Sequence, residues 1–285
     1  KEAMMSILEF TKDAEITDDY PISHVAKNEW LAFAMYTVES RAIPNMIDGL
    51  KPVQRFYLYS SLLNSKRDFK KVSAVAGIIS DYGYNHGEAS AAGAGQLMAA
   101  TWNNNICLVE GRGSFGTRLV QEPGAARYVY TRVHNNFEKY VKDMDLSPVH
   151  NDPEHEPPSY YLPVIPLVLA NGTKGIATGF ATNILPRSPD DLCRAVREYL
   201  LNGNIANKLP VSFPEFGGSV TYDIENKRFI VNGTFERNSK TVLTITEVPY
   251  GYDRESYVKV LNKLEDDNDI VSYEDKCDKQ GFKFE

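Results

Sequence analysis

The sequence of 285 residues predicts an α+β chain: a helical first half with a helix-turn-helix, then a β-rich second half. Three observations predict it. Apolar residues recur at helical spacing from about residue 23 to 102. Within KKVSAVAGIISDYGYNHGEASAAGAGQLMAATW a short glycine-containing turn separates two helical patterns, the helix-turn-helix signature. From residue 217 to 250 the pattern changes to alternation broken by turn residues, as in a β-meander.

The elements follow in order. Residues 1–22 are acidic and weakly patterned, and read as an arm. In SHVAKNEWLAFAMYTVESRA, Trp30, Leu31, Ala34, Met35 and Val38 recur as a helical stripe. IPNMIDGLKP interrupts with turn residues. VQRFYLYSSLLNSK is a second helix, apolar at Phe56, Tyr59, Leu62 and Leu63. A third helix ends at Gly83. The fourth, after NHG, is rich in Ala and Gly and therefore thin; that suits a major groove and equally permits close packing on another helix. ICLVEGRGSFGTRLV has strand-like residues split by Gly111, Gly113 and Gly116, as in a wing or hairpin loop. ARYVYTRVHNNFEKYVKDM resumes strand or helix, and proline-rich DPEHEPPSYYLPVIP marks a boundary near residue 155. Glu225-Asn226 and Asn232-Gly233 are turns. DRESYVKVLNKLEDD is a helix burying Tyr257, Val258, Val260, Leu261 and Leu264. The expected domains are an arm over 1–27, a first domain over 28–155 and an incomplete second over 156–285. Because the sequence starts at Lys1 and stops at GFKFE inside a strand pattern, the expectation is a piece cut at both ends.

Apolar content of 42% and charge of 24% suit a soluble globular chain. No apolar run is long enough for a bilayer, and no signal peptide opens the chain. The three cysteines form no C-x-x-C, which argues against a disulfide framework or zinc site and for a reducing compartment. The five histidines show no H-E-x-x-H spacing, so no metal site is expected here. Net charge is -7, yet residues 41–75 carry seven Lys/Arg against Asp48 and Asp68. Residues 111–135 carry four arginines against Glu122, and acid collects at the C-terminal end. Local sign matters for phosphate binding; these stretches fit DNA or a solvated basic face. GRGSFG lacks the G-K-[ST] of a P-loop and the spacing of a dinucleotide fingerprint.

Taken together, SRAIPNMIDGLKPVQR, YNHGEAS, GRGSFGTRL, AARYVYTRV, ANGTKGIATGFATNILP and TVLTITEVPYG resemble, in order, the motifs of the DNA breakage–rejoining (gyrase A-like) subunit of type IIA topoisomerases. NEWLAFAMYTVESRA and WNNN lean to the branch found in T-even-like bacteriophages; HGE and GTRL lean to the eukaryotic form. The resemblance implies a winged-helix domain followed by a partial tower domain. It implies that Tyr128, directly after Arg127, is the nucleophile, and that Tyr130 is not. A tyrosine oxygen attacks phosphorus, leaving a 5′-phosphotyrosine and a free 3′-hydroxyl, so cutting consumes no water. A phenol titrates near ~10 and needs activation, which Arg127 would assist. By the same resemblance Arg41, Lys51 and His86 surround the scissile phosphate, His86 at a helix start that favours anions. Arg55 and Arg118 match further basic positions, and Ile176 the residue that wedges between base pairs to bend DNA.

The resemblance further implies double-stranded DNA as substrate, a homodimer within a larger hetero-oligomer, and a Toprim/ATPase subunit that carries Mg²⁺ and ATP. It places the protein in the cytoplasm of an infected bacterial host, with no membrane contact. No D-x-D, E-G-D-S-A or ATPase motif occurs in this sequence. Tyr84 and Asn85 stand where bacterial members carry a second histidine, and Ala89 and Gly93 where they carry a serine and an acid. That departs from the bacterial quinolone contact. Two rivals remain: a winged-helix binding module without chemistry, and a metabolic enzyme whose glycine loop holds a small anion.

Overall fold

The computed structural model describes residues 22–285, so most of the arm expected over 1–27 lies outside the described residues. The chain enters as a continuous helix over 22–42, α1, in which the α-helical segments Ile22–Val25 and Leu31–Thr37 alternate with π-helical turns at Ala26–Trp30 and Val38–Ala42. Its apolar stripe is not the expected one. Trp30, Leu31, Phe33 and Met35 are exposed and Ala34 is buried; the densest contacts of α1 with the body lie at Val38–Ala42, against the helix Pro52–Asn64 and the strand Thr173–Ala177.

Helix α2 (Pro52–Asn64) is the axis of the first half. Pro52 sets the first-turn dihedral, and the Lys51 backbone N–H donates to Gln54 Oε1 at 2.8 Å. The sequence pattern predicts one apolar face, but Arg55, Phe56, Tyr57, Leu58, Ser60 and Ser61 are all buried, whereas Leu63 is exposed. Neighbours on every side explain this. Arg55 donates to both oxygens of Asp48, at 2.9 and 3.0 Å, and to the Leu50 carbonyl at 3.0 Å. The Asp48 carboxylate also accepts from the backbone N–H of Leu50 (2.9 Å) and Tyr161 (3.0 Å). On another side the Tyr57 hydroxyl meets Thr131 Oγ1 at 2.6 Å.

Strand β1 (Lys70–Lys71) leads into α3 (Val72–Gly77) and a 3₁₀ turn, Ile79–Tyr82. Gly83, at φ +95°, turns the chain; a Cβ there would lie 2.0 Å from the Glu154 carbonyl oxygen. Helix α4 (Glu88–Ala99) follows. Its thinness serves packing at one position, since a Cβ on Gly95 would fall 2.2 Å from the Tyr57 ring. Its other side, with Ala89, Ser90 and Gly93, is exposed.

Strands β2 (Val109–Arg112) and β3 (Tyr130–Val133) complete an antiparallel sheet of order β1-β3-β2. Short helices α5 (Phe137–Tyr140) and α6 (Leu167–Ala170) come next. The hairpin β4 (Thr173–Ala177) and β5 (Phe180–Ile184) and helix α7 (Pro189–Asn202) follow. The expected meander forms two separate ladders. They are β6 (Ser219–Asp223) with β7 (Arg228–Asn232), and β8 (Thr234–Arg237) with β9 (Leu243–Glu247). Helix α8 (Arg254–Asp266) buries Leu261 and half-buries Tyr257, Val258, Val260 and Leu264.

One apolar cluster runs from Leu50 to Leu192 and includes Tyr161, Ile165, Leu167 and Ala170, so packing continues past residue 155. A smaller cluster gathers Val248, Leu261, Phe282 and Phe284. Among the described residues no helix is long and apolar enough to cross a membrane.

Removing one partner of a buried, fully bonded ion pair strands the other charge. Asp48→Ala is expected to lower unfolding stability by about 3–5 kcal/mol, read as a drop in the denaturant midpoint.

Candidate functional site

Tyr128 ends a tight turn, its N–H donating to the Ala125 carbonyl at 2.8 Å. The turn is held on both flanks. Val72 and Ser73, at the start of α3, donate to the carbonyls of Val129 and Ala126 at 3.0 and 3.1 Å, and Gln96 on α4 donates to the Gly124 carbonyl at 2.6 Å. Buried Val129 anchors the strand and leaves the Tyr128 ring 68% exposed. The Arg127 guanidinium lies over that ring, 4.7 Å from its centroid. Tyr130, two residues on, is half-buried in β3, directly opposite Lys71 on β1 and Arg112 on β2.

His86 precedes α4. Its Nε2 shares a 3.1 Å hydrogen bond with the Tyr36 hydroxyl of α1, and Tyr84 stands edge-on to it with ring centroids 5.3 Å apart. Burial, and then the nearby positive charge of Arg41, hold its pKa below the ordinary histidine value. Arg41 is exposed on the last turn of α1. The next residue, Ala42, lies against β4: a Cβ on Gly175 would fall 2.5 Å from the Ala42 carbonyl oxygen. Ile176, beside Gly175, is 70% exposed, and Phe180 across the hairpin turn is also exposed. Lys51 lines a cleft of about 520 Å³ together with Gly93 of α4 and Lys174 of β4.

Arg41, His86 and the Ile176 hairpin are thus assembled around one end of α4. The side chain of Gln96, eight residues along α4 from Glu88, holds the Gly124 carbonyl in the loop that leads to Tyr128. Helix α3 links the two regions: its start holds the Tyr128 turn, and Gly77 at its end faces Glu88.

Arg55 and Arg118 are interior groups, a departure from the expected DNA contacts. Arg55 is committed to Asp48. Arg118 is buried, 3.1 Å from Glu247, with its guanidinium carbon 4.6 Å from the Tyr250 ring centroid and 5.5 Å from that of Phe282. It ties the glycine-rich loop to the C-terminal cluster.

Two features went unread in the sequence. Tyr36 carries no local motif, since its partner is fifty residues away. On the sheet face that carries Tyr130, Phe69 lies between the guanidiniums of Arg112 and Arg132, at 4.2 and 4.6 Å from its ring centroid, with Lys71 beside Tyr130. Strand alternation over FKK and YTR was the available signal. The described residues gather no group of three His, Cys, Asp or Glu side chains suited to a metal ion. The neighbour acting on His86 is the cation Arg41. These residues do not fit Mg²⁺.

The site thus joins an exposed tyrosine stacked under an arginine and an Arg–His cluster on a mixed helix–sheet body. Residues 41–285 match the family of the A subunits of DNA gyrase and topoisomerase IV. The chain belongs to this family. It is 49% identical over 267 residues to the DNA topoisomerase medium subunit of Enterobacteria phage T4, covering 92% of this chain and 60% of that protein. It is 34% identical to DNA topoisomerase 2 of Candida albicans over 83% of this chain and 16% of that protein. The topoisomerase II DNA-binding, cleavage and re-ligation domain of Plasmodium falciparum superposes with a TM-score of 0.82 at 29% identity, covering 90% of this chain and 36% of that one. The chain therefore spans only part of the length of its relatives.

If Arg41 helps keep His86 neutral, Arg41→Ala raises the His86 pKa toward the ordinary value while burial still holds it below. A site-resolved histidine titration measures this; an unchanged or lowered pKa would refute the coupling.

Proposed function

We propose that this chain is the breakage–rejoining part of a type II DNA topoisomerase, with Tyr128 as nucleophile. The observation that carries the reading is the presentation of Tyr128: fixed by hydrogen bonds on both flanks, exposed at its ring, and covered by the Arg127 guanidinium. By contrast Tyr57 and Tyr161 are buried, and burial pushes both phenols well above the ordinary tyrosine range.

In the proposed reaction the Tyr128 oxygen bonds to the scissile phosphorus as the P–O3′ bond breaks. The phenolic proton ends on the leaving 3′-oxygen, and the product is a 5′-phosphotyrosine. Reversal reseals the strand without water. Arg127 stabilises negative charge on the phosphate and on the attacking oxygen. Arg41, Lys51 and His86 bind phosphate oxygens. Ile176 enters a base step and kinks the duplex, for which its exposed hairpin is suited. Helices α3 and α4 with the β2/β3 hairpin act as a winged helix, exposed Ala89, Ser90 and Gly93 letting DNA approach α4 closely. The strands beyond residue 155 belong to a tower.

The protein works as a twofold dimer, in which one protomer's tyrosine meets the other's cluster. A second duplex passes through the paired breaks. A Toprim/ATPase subunit supplies Mg²⁺ and ATP hydrolysis, in the cytoplasm of the infected bacterial host.

Tyr128→Phe is expected to abolish covalent DNA capture and Tyr130→Phe to retain most of it. Denaturing gels of reactions with the Toprim/ATPase partner and Mg²⁺ read both; equal loss in the two variants, or adduct formation by Tyr128→Phe, sinks the assignment. A module that binds without cutting would form no adduct with any variant. Lys71→Ala with Arg112→Ala is expected to reduce the slope of log affinity against log salt by about one for each phosphate no longer neutralised. An unchanged slope would place these cations away from DNA.

A further inference from the structure

We infer that Tyr36 is a positioning residue that donates its phenolic O–H to His86 Nε2, so that His86 meets the phosphate as a neutral donor through Nδ1–H. The inference rests on the reading that His86 faces the scissile phosphate. Three observations carry it. The Tyr36 oxygen is 3.1 Å from Nε2. The imidazole is gripped by two aromatic rings, Tyr36 at a 53° tilt and Tyr84 edge-on at 76°, which fixes its plane. Among the described residues no hydrogen bond is made to Nδ1, leaving that nitrogen for a ligand.

The direction of the bond follows from the partners. A neutral imidazole has one N–H and one acceptor nitrogen. A phenol is the stronger donor, and its oxygen, conjugated with the ring, the weaker acceptor. With the phenol donating to Nε2, the single proton of the imidazole is on Nδ1. The titratable groups around the ring agree. The cation Arg41 and the phenols Tyr36 and Tyr84 face it, and Arg41 disfavours a second positive charge there. With Nε2 occupied, His86 has no free lone pair with which to take a proton. Its part is to hold a phosphate oxygen beside Arg41, not to act as general base.

The test is Tyr36→Phe, which removes one oxygen, in the assembled enzyme with its Toprim/ATPase partner. Histidine C2 hydrogen–deuterium exchange, followed by mass spectrometry on the peptide containing His86, gives that residue's pKa without DNA. Single-turnover cleavage gives the rate, and DNA binding is measured in parallel. Loss of a bond that favours the neutral ring is expected to raise the His86 pKa. It is expected to slow cleavage by about five- to tenfold, the net contribution of one hydrogen bond, with DNA affinity little changed. An unchanged or lowered His86 pKa, or unchanged cleavage, overturns the inference. His86→Ala separates this from failure of the site itself. If His86→Ala cleaves normally, the placement of His86 at the phosphate fails. If it cleaves slowly while Tyr36→Phe behaves as wild type, only the role of Tyr36 fails.

Discussion

The buried Asp48–Arg55 pair organises the first half of the molecule. A carboxylate removed from water requires replacement hydrogen bonds, and Asp48 receives them from two guanidinium nitrogens and two backbone N–H groups. Those donors come from three places: α2, the turn before it, and the segment at Tyr161. Satisfying one charge therefore fixes where α2 begins, and with it Lys51. It also draws the chain beyond residue 155 onto the helical body. Hydrophobic packing alone tolerates sliding; a four-donor carboxylate does not. Arg118 performs the corresponding task at the other junction, holding the glycine-rich loop against Glu247 and the Tyr250 ring.

From this frame the Tyr128 turn gains its precision. Its backbone is bonded to α3 and α4, both packed on α2. The ring itself is left to solvent and to Arg127. A rigid backbone with an exposed side chain is what a nucleophile for a bulky substrate requires, because the scaffold carries the positioning and the ring stays accessible. The Ile176 hairpin follows the same logic: Gly175 lies tight against the end of α1 while its neighbour projects outward.

Much of this was legible in the residues. The two helical segments on either side of Gly83 were readable from helical spacing. The choice of Tyr128 over Tyr130, which remains a proposal, rests on Arg127 and on the order of motifs. Burial was less legible. Arg55 and Arg118 look like other arginines in a basic stretch, and only the fold shows that their charges are consumed internally, one by a residue seven positions away and the other by one 129 positions away. Tyr57 reads as one aromatic among several until Gly95 and Thr131 surround it. The stripe on α1 misled because a helical period tells which residues share a face, not whether anything covers it. Helix α7 was readable and unread: Pro189, Asp190 and Asp191 mark its start and Gly203 its end.

Helix α4 begins just after His86 and, near its other end, holds the loop that leads to Tyr128. On the proposed dimer each copy carries half of two shared sites. The capacity to sever DNA then belongs to the pairing and vanishes on dilution, so a stray subunit grips a duplex without harming it.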